Sequence, residues 1–97
     1  MRVIAKKTLK ELWTREPAAQ AALEAWYAEA KNAEWSGPAD VKARYGNASI
    51  LKDGRVLFNI CGNKYRLVVW MNYAFFTIYI RFVGTHKEYD QIDAQTI

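Results

Sequence analysis

The sequence is poor in the residues that build cross-links and metal sites, because its 97 residues include one cysteine, Cys61, and one histidine, His86. A single cysteine excludes an internal disulfide, which predicts a reducing compartment. One cysteine and one histidine cannot supply the usual ligand set of a zinc site, and the chain has no glycine-rich phosphate-binding loop. We therefore expect a protein without a metal or a cofactor.

Long hydrophobic runs are also missing. The longest one, residues 67–80, is interrupted by Asn72 and Thr77 and is too short to cross a bilayer as a helix. The opening residues, "MRVIAKKTLKEL", lack the apolar core of a signal peptide. Together these absences predict a soluble protein of the cytoplasm.

The composition is that of a folded domain with a basic centre. Hydrophobic residues make up 52% and charged residues 25% of a chain of single-domain length, so residues 1–97 are expected to form one domain. The formal net charge is +4, and the segment from Asp40 to Arg66 holds six cations against two acids. This balance favours a polyanionic partner such as nucleic acid.

Helical periodicity dominates the first half of the chain. A short apolar run at residues 2–5 predicts a strand, and Thr8 with Glu11 three residues later predicts a capping box at the start of the first helix. Residues 17–35 and 38–46 have the composition and spacing of two further helices.

The second half of the chain changes to the alternating pattern of strands. Asp53-Gly54 is a hairpin signal, and Thr85 with Glu88 predicts a capping box that opens a short helix over residues 85–92. The fold class is therefore α+β, with an N-terminal strand and helices packed on one face of an antiparallel sheet and a short C-terminal helix. The four predicted strands are residues 49–52, 55–60, 64–73 and 76–84.

Alternation of side chains divides this sheet into an apolar face and a mixed face. In the last strand, Phe82 is expected on the apolar face and Val83 on the mixed one. The mixed face has no carboxylate, and its cations, aromatic rings and amides are what RNA binding requires. An ordinary solvated face of an antiparallel sheet is the alternative. The mixed face carries Arg55, Asn59, Lys64, Arg66, Trp70, Asn72, Tyr79 and Arg81.

His86 directly follows the last predicted strand. A lone histidine more often has a structural or surface role, but in a helix His86 and Tyr89 would share one face, where a general acid or base could act. RNA can be cleaved without a metal when the 2′-OH attacks the adjacent phosphate with help from a base, an acid and cations. A nucleophilic pair of Cys61 and His86 has little support, since Cys61 lies in a turn signal.

Two stretches, "FNICGNKYRL" (58–67) and "IRFVGTHKEYD" (80–90), resemble the HigB-type toxins of bacterial type II toxin–antitoxin systems, which have a RelE-like fold. The segments "MRVIAKKTLKELW" and "AWYAEAKNAEW" extend the similarity over essentially the whole chain. The resemblance implies an mRNA endonuclease that acts with the ribosome and inhibits translation. It also implies a small helix-turn-helix antitoxin of the HigA type, whose complex with the toxin binds operator DNA.

The resemblance assigns provisional roles to the matching positions. Arg66 and Arg81 would hold the scissile phosphate, His86 would be the general acid or base, and Tyr89 or Lys64 would be its counterpart. A non-catalytic RNA or ribosome binder, and a degenerate toxin that serves only as an antitoxin partner, remain as alternatives. The predicted RNA-binding residues are Asn59, Asn63, Asn72, Arg55, Tyr79 and Trp70.

The hairpin "NYAFFT" (72–77) departs from the resemblance, since many relatives have a basic residue there. Phe75 and Phe76 are expected to contact the antitoxin or to stack on bases; alternatively, at least one of them covers the core.

Overall fold

The computed structural model describes residues 1–97 and has the α+β architecture that the sequence predicts. Three short 3₁₀ turns, at Pro17–Ala19, Lys52–Gly54 and Tyr73–Phe75, connect the regular elements. None of the helices has the length and hydrophobicity needed to cross a membrane. In chain order the elements are β1 (Arg2–Ile4), α1 (Lys6–Arg15), α2 (Gln20–Asn32), α3 (Pro38–Arg44), β2 (Ser49–Ile50), β3 (Arg55–Ile60), β4 (Tyr65–Asn72), β5 (Thr77–Thr85) and α4 (His86–Tyr89).

One five-stranded sheet organises the molecule, in the order β1-β5-β4-β3-β2. Strands β2 to β5 pair antiparallel, and β1 pairs parallel with β5 at the edge. The helices cover one face, because alternate strand residues such as Phe58 and Leu67 join Leu9, Leu23 and Trp26 in a single buried cluster. Burial of these large apolar side chains is the main contribution that holds the helices on the sheet.

Of the capping boxes that the sequence predicts at the starts of α1 and α4, only the one at α4 is present. The capping box predicted at Thr8 and Glu11 is wrong: α1 already begins at Lys6, because β1 ends at Ile4 and the chain turns within one residue. The capping box predicted for Thr85 and Glu88 is confirmed. The helix that it opens, α4, is shorter than expected and has only four residues.

A β-bulge in β5 changes the predicted faces of the sheet. Val68 pairs with Phe82 and Val69 pairs with Ile80, so Arg81 has no partner residue in β4. This extra residue shifts the alternation beyond it. Phe82 therefore shares the mixed face with Val68, and Val83 packs against the main core, so the expected faces of these two residues are wrong.

The C-terminal segment, residues 90–97, crosses the middle of the mixed face. Its residue Ala94 is buried with Leu57 and Val68 in a second, smaller apolar cluster. Arg55 Nε donates to the Ile97 carbonyl at 2.6 Å, which ties the segment to β3. The mixed face is therefore open only on either side of this cover.

Candidate nucleic-acid interface

The C-terminal segment and α4 divide the functional candidates on the mixed face into two groups. The first group, called here the His86 end, comprises Asn59, Asn63, Lys64, Arg66, His86 and Tyr89, where β3 turns into β4 and β5 ends. The second group, called here the Trp70 end, comprises Arg55, Trp70, Asn72, Tyr79 and Arg81.

Arg66 is held by an aromatic ring from the C-terminal helix. Its Cζ lies 5.1 Å from the centre of the Tyr89 ring, and the Tyr89 ring in turn lies 6.2 Å from the Phe82 ring. A guanidinium over an aromatic face is attracted by the ring quadrupole, so this stack fixes the side chain without neutralising its charge. The Nε of Arg66 is buried and has no hydrogen-bond partner in the protein. The terminal nitrogens of the guanidinium are not buried and make no hydrogen bond within the protein, so they remain available to a ligand.

Asn59 stands beside this donor, as the direct partner of Arg66 across β3 and β4. Its Nδ2 donates to the Asn47 carbonyl at 3.2 Å, which fixes the side-chain amide. Its Oδ1 is buried and has no partner. Buried polar atoms are nearly always satisfied, so two unpaired ones on directly paired residues are unusual.

His86 begins α4, and its backbone is anchored to the adjacent turn. Its N–H donates to the Lys64 carbonyl at 3.2 Å, which brings the two residues together. The imidazole is half exposed, and its Nδ1 lies 3.4 Å from the Asp90 carboxylate. A carboxylate at Nδ1 orients the ring and leaves Nε2 for a substrate. Asp90 is not among the residues to which the sequence assigns a role, and its i,i+4 spacing from His86 is the signal that identifies it.

Glu88 fixes the position of α4 from two sides. It accepts a hydrogen bond from the Thr85 N–H at 2.9 Å and an ion-paired bond from Arg15 of α1, also at 2.9 Å. The Thr85 N–H bond and then the Arg15 bond lower the pKa of Glu88 below its usual value. These contacts tie His86 and Tyr89 to the rest of the fold.

Gly84 makes the close packing under α4 possible. It is the β5 partner of Arg66. A Cβ atom at this position would lie 2.8 Å from Cζ of Phe82 and 2.9 Å from Oε1 of Glu88. Any larger residue would displace one of these side chains, and with it the support of the Arg66 stack.

The Trp70 end is a small aromatic platform with one exposed cation. The rings of Trp70 and Tyr79 lie 5.3 Å apart, and the indole N–H donates to the Asp53 carbonyl at 2.8 Å. Cζ of Arg81 lies 6.0 Å from the Trp70 ring and 5.9 Å from the Tyr79 ring. A rigid ring pair beside an exposed arginine can stack a base and contact its phosphate.

Of three other predicted RNA-binding residues, Arg55 and Asn72 hydrogen-bond within the protein and Asn63 does not. Arg55 is bound to the Ile97 carbonyl, and the side chain of Asn72 accepts from the Phe75 N–H at 3.3 Å, which shapes the β4–β5 hairpin. Asn63 is exposed in the turn between β3 and β4 and makes no hydrogen bond through its side chain.

The two arginines assigned to one phosphate lie against different aromatic groups. Arg66 pairs with Gly84, which is three residues beyond Arg81 along β5. At the usual rise of a strand, the backbone positions of the two arginines are therefore about 10 Å apart along the sheet. The covered centre of the face lies between them. Arg66 is grouped with His86 and Lys64, and Arg81 with Trp70 and Tyr79.

A family model of HigB toxins, described as the RelE-like toxic component of a toxin–antitoxin system, matches residues 19–92. The match covers most of the chain, and the protein belongs to this family. It is the toxin of a toxin–antitoxin system, and an antitoxin is its partner. No curated protein sequence matches the chain at a significant level.

Proposed function

We propose that this toxin is an endoribonuclease that cleaves mRNA on the ribosome by metal-free acid–base chemistry and thereby inhibits translation in the cytoplasm. The observation that carries the proposal is the arrangement at the His86 end. There Arg66 of β4, His86 at the start of α4 and the exposed Lys64 of the preceding turn lie around the junction of β4, β5 and α4. The terminal nitrogens of Arg66 and the Nε2 of His86 make no hydrogen bond within the protein.

In the proposed reaction, the 2′-oxygen attacks the adjacent phosphorus and the bond to the 5′-oxygen breaks. This leaves a 2′,3′-cyclic phosphate on one product and a 5′-OH on the other. His86 Nε2 transfers one of the two protons, either from the attacking hydroxyl or to the leaving oxygen, and Lys64 Nζ transfers the other. Arg66 and Lys64 bind the phosphate oxygens as negative charge develops, which is where preorganised cations lower a barrier most. Tyr89 positions Arg66, and Asp90 positions His86.

The rest of the mixed face would hold the RNA on either side of the scissile bond. Asn59 and Asn63 would contact the nucleotide at the His86 end. Trp70 and Tyr79 would stack a neighbouring base while Arg81 contacts its phosphate. Arg55 and Asn72 would border this platform.

The partner assignments follow from the same proposal. The antitoxin would be a small helix-turn-helix protein of the HigA type. The toxin would reach operator DNA only as part of the complex, since the residues proposed to bind nucleic acid on its own surface are grouped for single-stranded RNA.

Brief induction in cells, followed by primer extension on cellular mRNA, tests the proposal. The wild type should produce new 5′ ends within reading frames, and His86→Ala should produce none. Lys87→Ala is the matched control, because Lys87 is an exposed cation next to His86 without an ion pair, and this variant should cut like the wild type. Translation arrest by the wild type without new ends would instead support a toxin that acts by occupying the ribosome.

A further inference from the structure

The tip of the β4–β5 hairpin presents two phenylalanines to solvent. Phe75 is 77% exposed and Phe76 is 46% exposed, and only Ile50 among the other large hydrophobic residues is comparably exposed, at 40%. The expectation that at least one of the two covers the core is therefore wrong. Two adjacent exposed aromatic rings are typical of a binding surface rather than of a solvated turn.

The backbone of the tip holds both rings outward. Phe76 has a left-handed conformation, with φ 49° and ψ 46°, where glycine or asparagine would be less strained. Asn72 accepts from the Phe75 N–H, and Thr77 Oγ1 donates to the Phe75 carbonyl at 3.0 Å. Folding of the hairpin gives no reason for phenylalanine at either position.

Phe76 also forms one wall of an open groove of about 400 Å³ between the hairpin and the end of α2. The groove lies next to β1, the short strand at the edge of the sheet. The other residues that line it are Met1, Lys31, Asn32, Ala33 and Glu34.

The charges near the tip distinguish a protein partner from RNA. No charged residue lies between Arg66 and Arg81 in the sequence, so the hairpin has no cation of its own for a phosphate. In the groove, Lys31 and Glu34 have opposite charges, and the Met1 ammonium is already bonded to three carbonyls at the end of α2. A further cation close to the tip is Arg2 of β1, whose backbone N–H donates to the Phe76 carbonyl at 2.8 Å. This surface fits apolar side chains of another protein better than a polyanion.

We propose that Phe75 and Phe76, with the adjoining groove, are a docking site for the antitoxin, which contributes apolar side chains to the groove and a pocket for the two rings. This inference rests on membership of the toxin–antitoxin family and does not depend on the proposed nuclease chemistry.

The proposed docking site lies at the opposite end of β4 and β5 from the His86 end. The hairpin is at the Asn72–Thr77 end of β4 and β5, whereas α4 follows the Tyr65–Thr85 end. Eight β4 residues separate these ends, which corresponds to about 25 Å of strand. A change at the tip should therefore alter antitoxin binding and leave the His86 end intact.

The test is the double variant Phe75→Ser with Phe76→Asn, with Ile50→Ser as control. Asparagine tolerates the left-handed conformation, so the variant should fold, and thermal unfolding should verify this. The control removes an exposed hydrophobic residue from β2, at the opposite edge of the sheet. Binding of purified toxin to the antitoxin encoded in the same operon, and growth arrest with and without that antitoxin, are measured for each.

The double variant should bind the antitoxin at least about tenfold more weakly, arrest growth like the wild type and escape neutralisation, while Ile50→Ser remains wild-type in all three. Unchanged antitoxin affinity would overturn the proposal. If arrest were lost at unchanged affinity, the rings would bind RNA. If the isolated wild type were a dimer and the double variant a monomer, while both bound the antitoxin equally well, the tip would instead bind a second copy of the toxin. Because affinity is measured directly, a toxin without nuclease activity would still give a result.

Discussion

The guanidinium of Arg66, on β4, lies 5.1 Å from the centre of the Tyr89 ring, on α4. The contact joins the central part of the sheet to the helix that begins with His86. Because Glu88 anchors that helix to both Thr85 and Arg15, the ring is a fixed support, and the protein itself holds the Arg66 guanidinium in position.

The first prediction separates the ring of Tyr89 from its hydroxyl. Tyr89→Phe keeps the face on which Arg66 lies and should retain cleavage within about threefold of the wild type. Tyr89→Leu removes the cation–π contact and should lower the cleavage rate by about tenfold or more. Single-turnover cleavage of ribosome-bound mRNA measures both. An inactive Tyr89→Phe would show that the phenol itself transfers a proton.

A second prediction concerns the two arginines, since both Arg66→Ala and Arg81→Ala should abolish toxicity while the fold survives. At saturating mRNA, Arg66→Ala should lower the rate by about 100-fold, the usual cost of removing a group that stabilises the transition state. Arg81→Ala should mainly raise the mRNA concentration needed for half-maximal rate. Concentration series in a reconstituted translation system distinguish the two effects, and full toxicity of both variants would refute the model.

Asp90 provides a third prediction, because its carboxylate lies 3.4 Å from His86 Nδ1. Asp90→Asn should slow cleavage by about tenfold, as expected when a group that orients a catalytic residue is lost, without weakening mRNA binding. In single-turnover assays with excess toxin, the residual cleavage by His86→Ala, which is too slow to give detectable ends in cells, should not fall further on the same change, because residues that act as a unit are not additive. An equal loss in both backgrounds would mean that Asp90 acts independently of His86.

The acid stability of the fold gives a fourth prediction. The pKa of Glu88 is lowered in the folded state by the Thr85 N–H and by Arg15, so its ionised form favours folding. That contribution is fully present above the pKa of the unfolded chain and is lost as the pH falls through the lowered pKa of the folded state. Since the pair is largely exposed, it is worth at most about 1 kcal/mol.

Glu88→Gln should therefore reduce the free energy of unfolding at pH 7, and this reduction should become smaller as the pH is lowered towards 3. Urea titrations at pH 7, 5 and 3 measure this quantity. Glu11→Gln is the control, because Glu11 is exposed on α1 and has no ion pair. If Glu88→Gln lowered the free energy of unfolding by the same amount from pH 7 to pH 3, the stabilisation would not come from the ionised Glu88 carboxylate.

The sequence predicts those features that depend on neighbours along the chain. Alternation identified β3 and β4 and placed Arg66 and Trp70 on the mixed face, and the capping box at Thr85 marked the start of α4. Each of these signals is a local pattern of spacing or of one hydrogen-bonded turn.

Other features depend on contacts between distant segments and leave no such pattern. The bulge at Arg81 is set by its pairing with β4, and it moved Phe82 to the face opposite the expected one. The burial of Ala94 on Val68 and the stacking of Arg66 on Tyr89 both require the C-terminal residues to fold back over the sheet. The division of the candidate site into two ends follows from that covering and could not be read from spacing.

The most direct test of the proposed cleavage mechanism removes one oxygen atom, the 2′-hydroxyl oxygen, from the substrate. Once a cleavage site has been mapped, an mRNA with a single 2′-deoxynucleotide on its 5′ side is translated in a reconstituted system with purified toxin. The all-ribose mRNA should yield a 2′,3′-cyclic phosphate and a 5′-OH, and the 2′-deoxy site should stay intact. Cleavage at the 2′-deoxy site would contradict attack by the 2′-OH and, with it, the roles proposed for His86, Arg66 and Lys64.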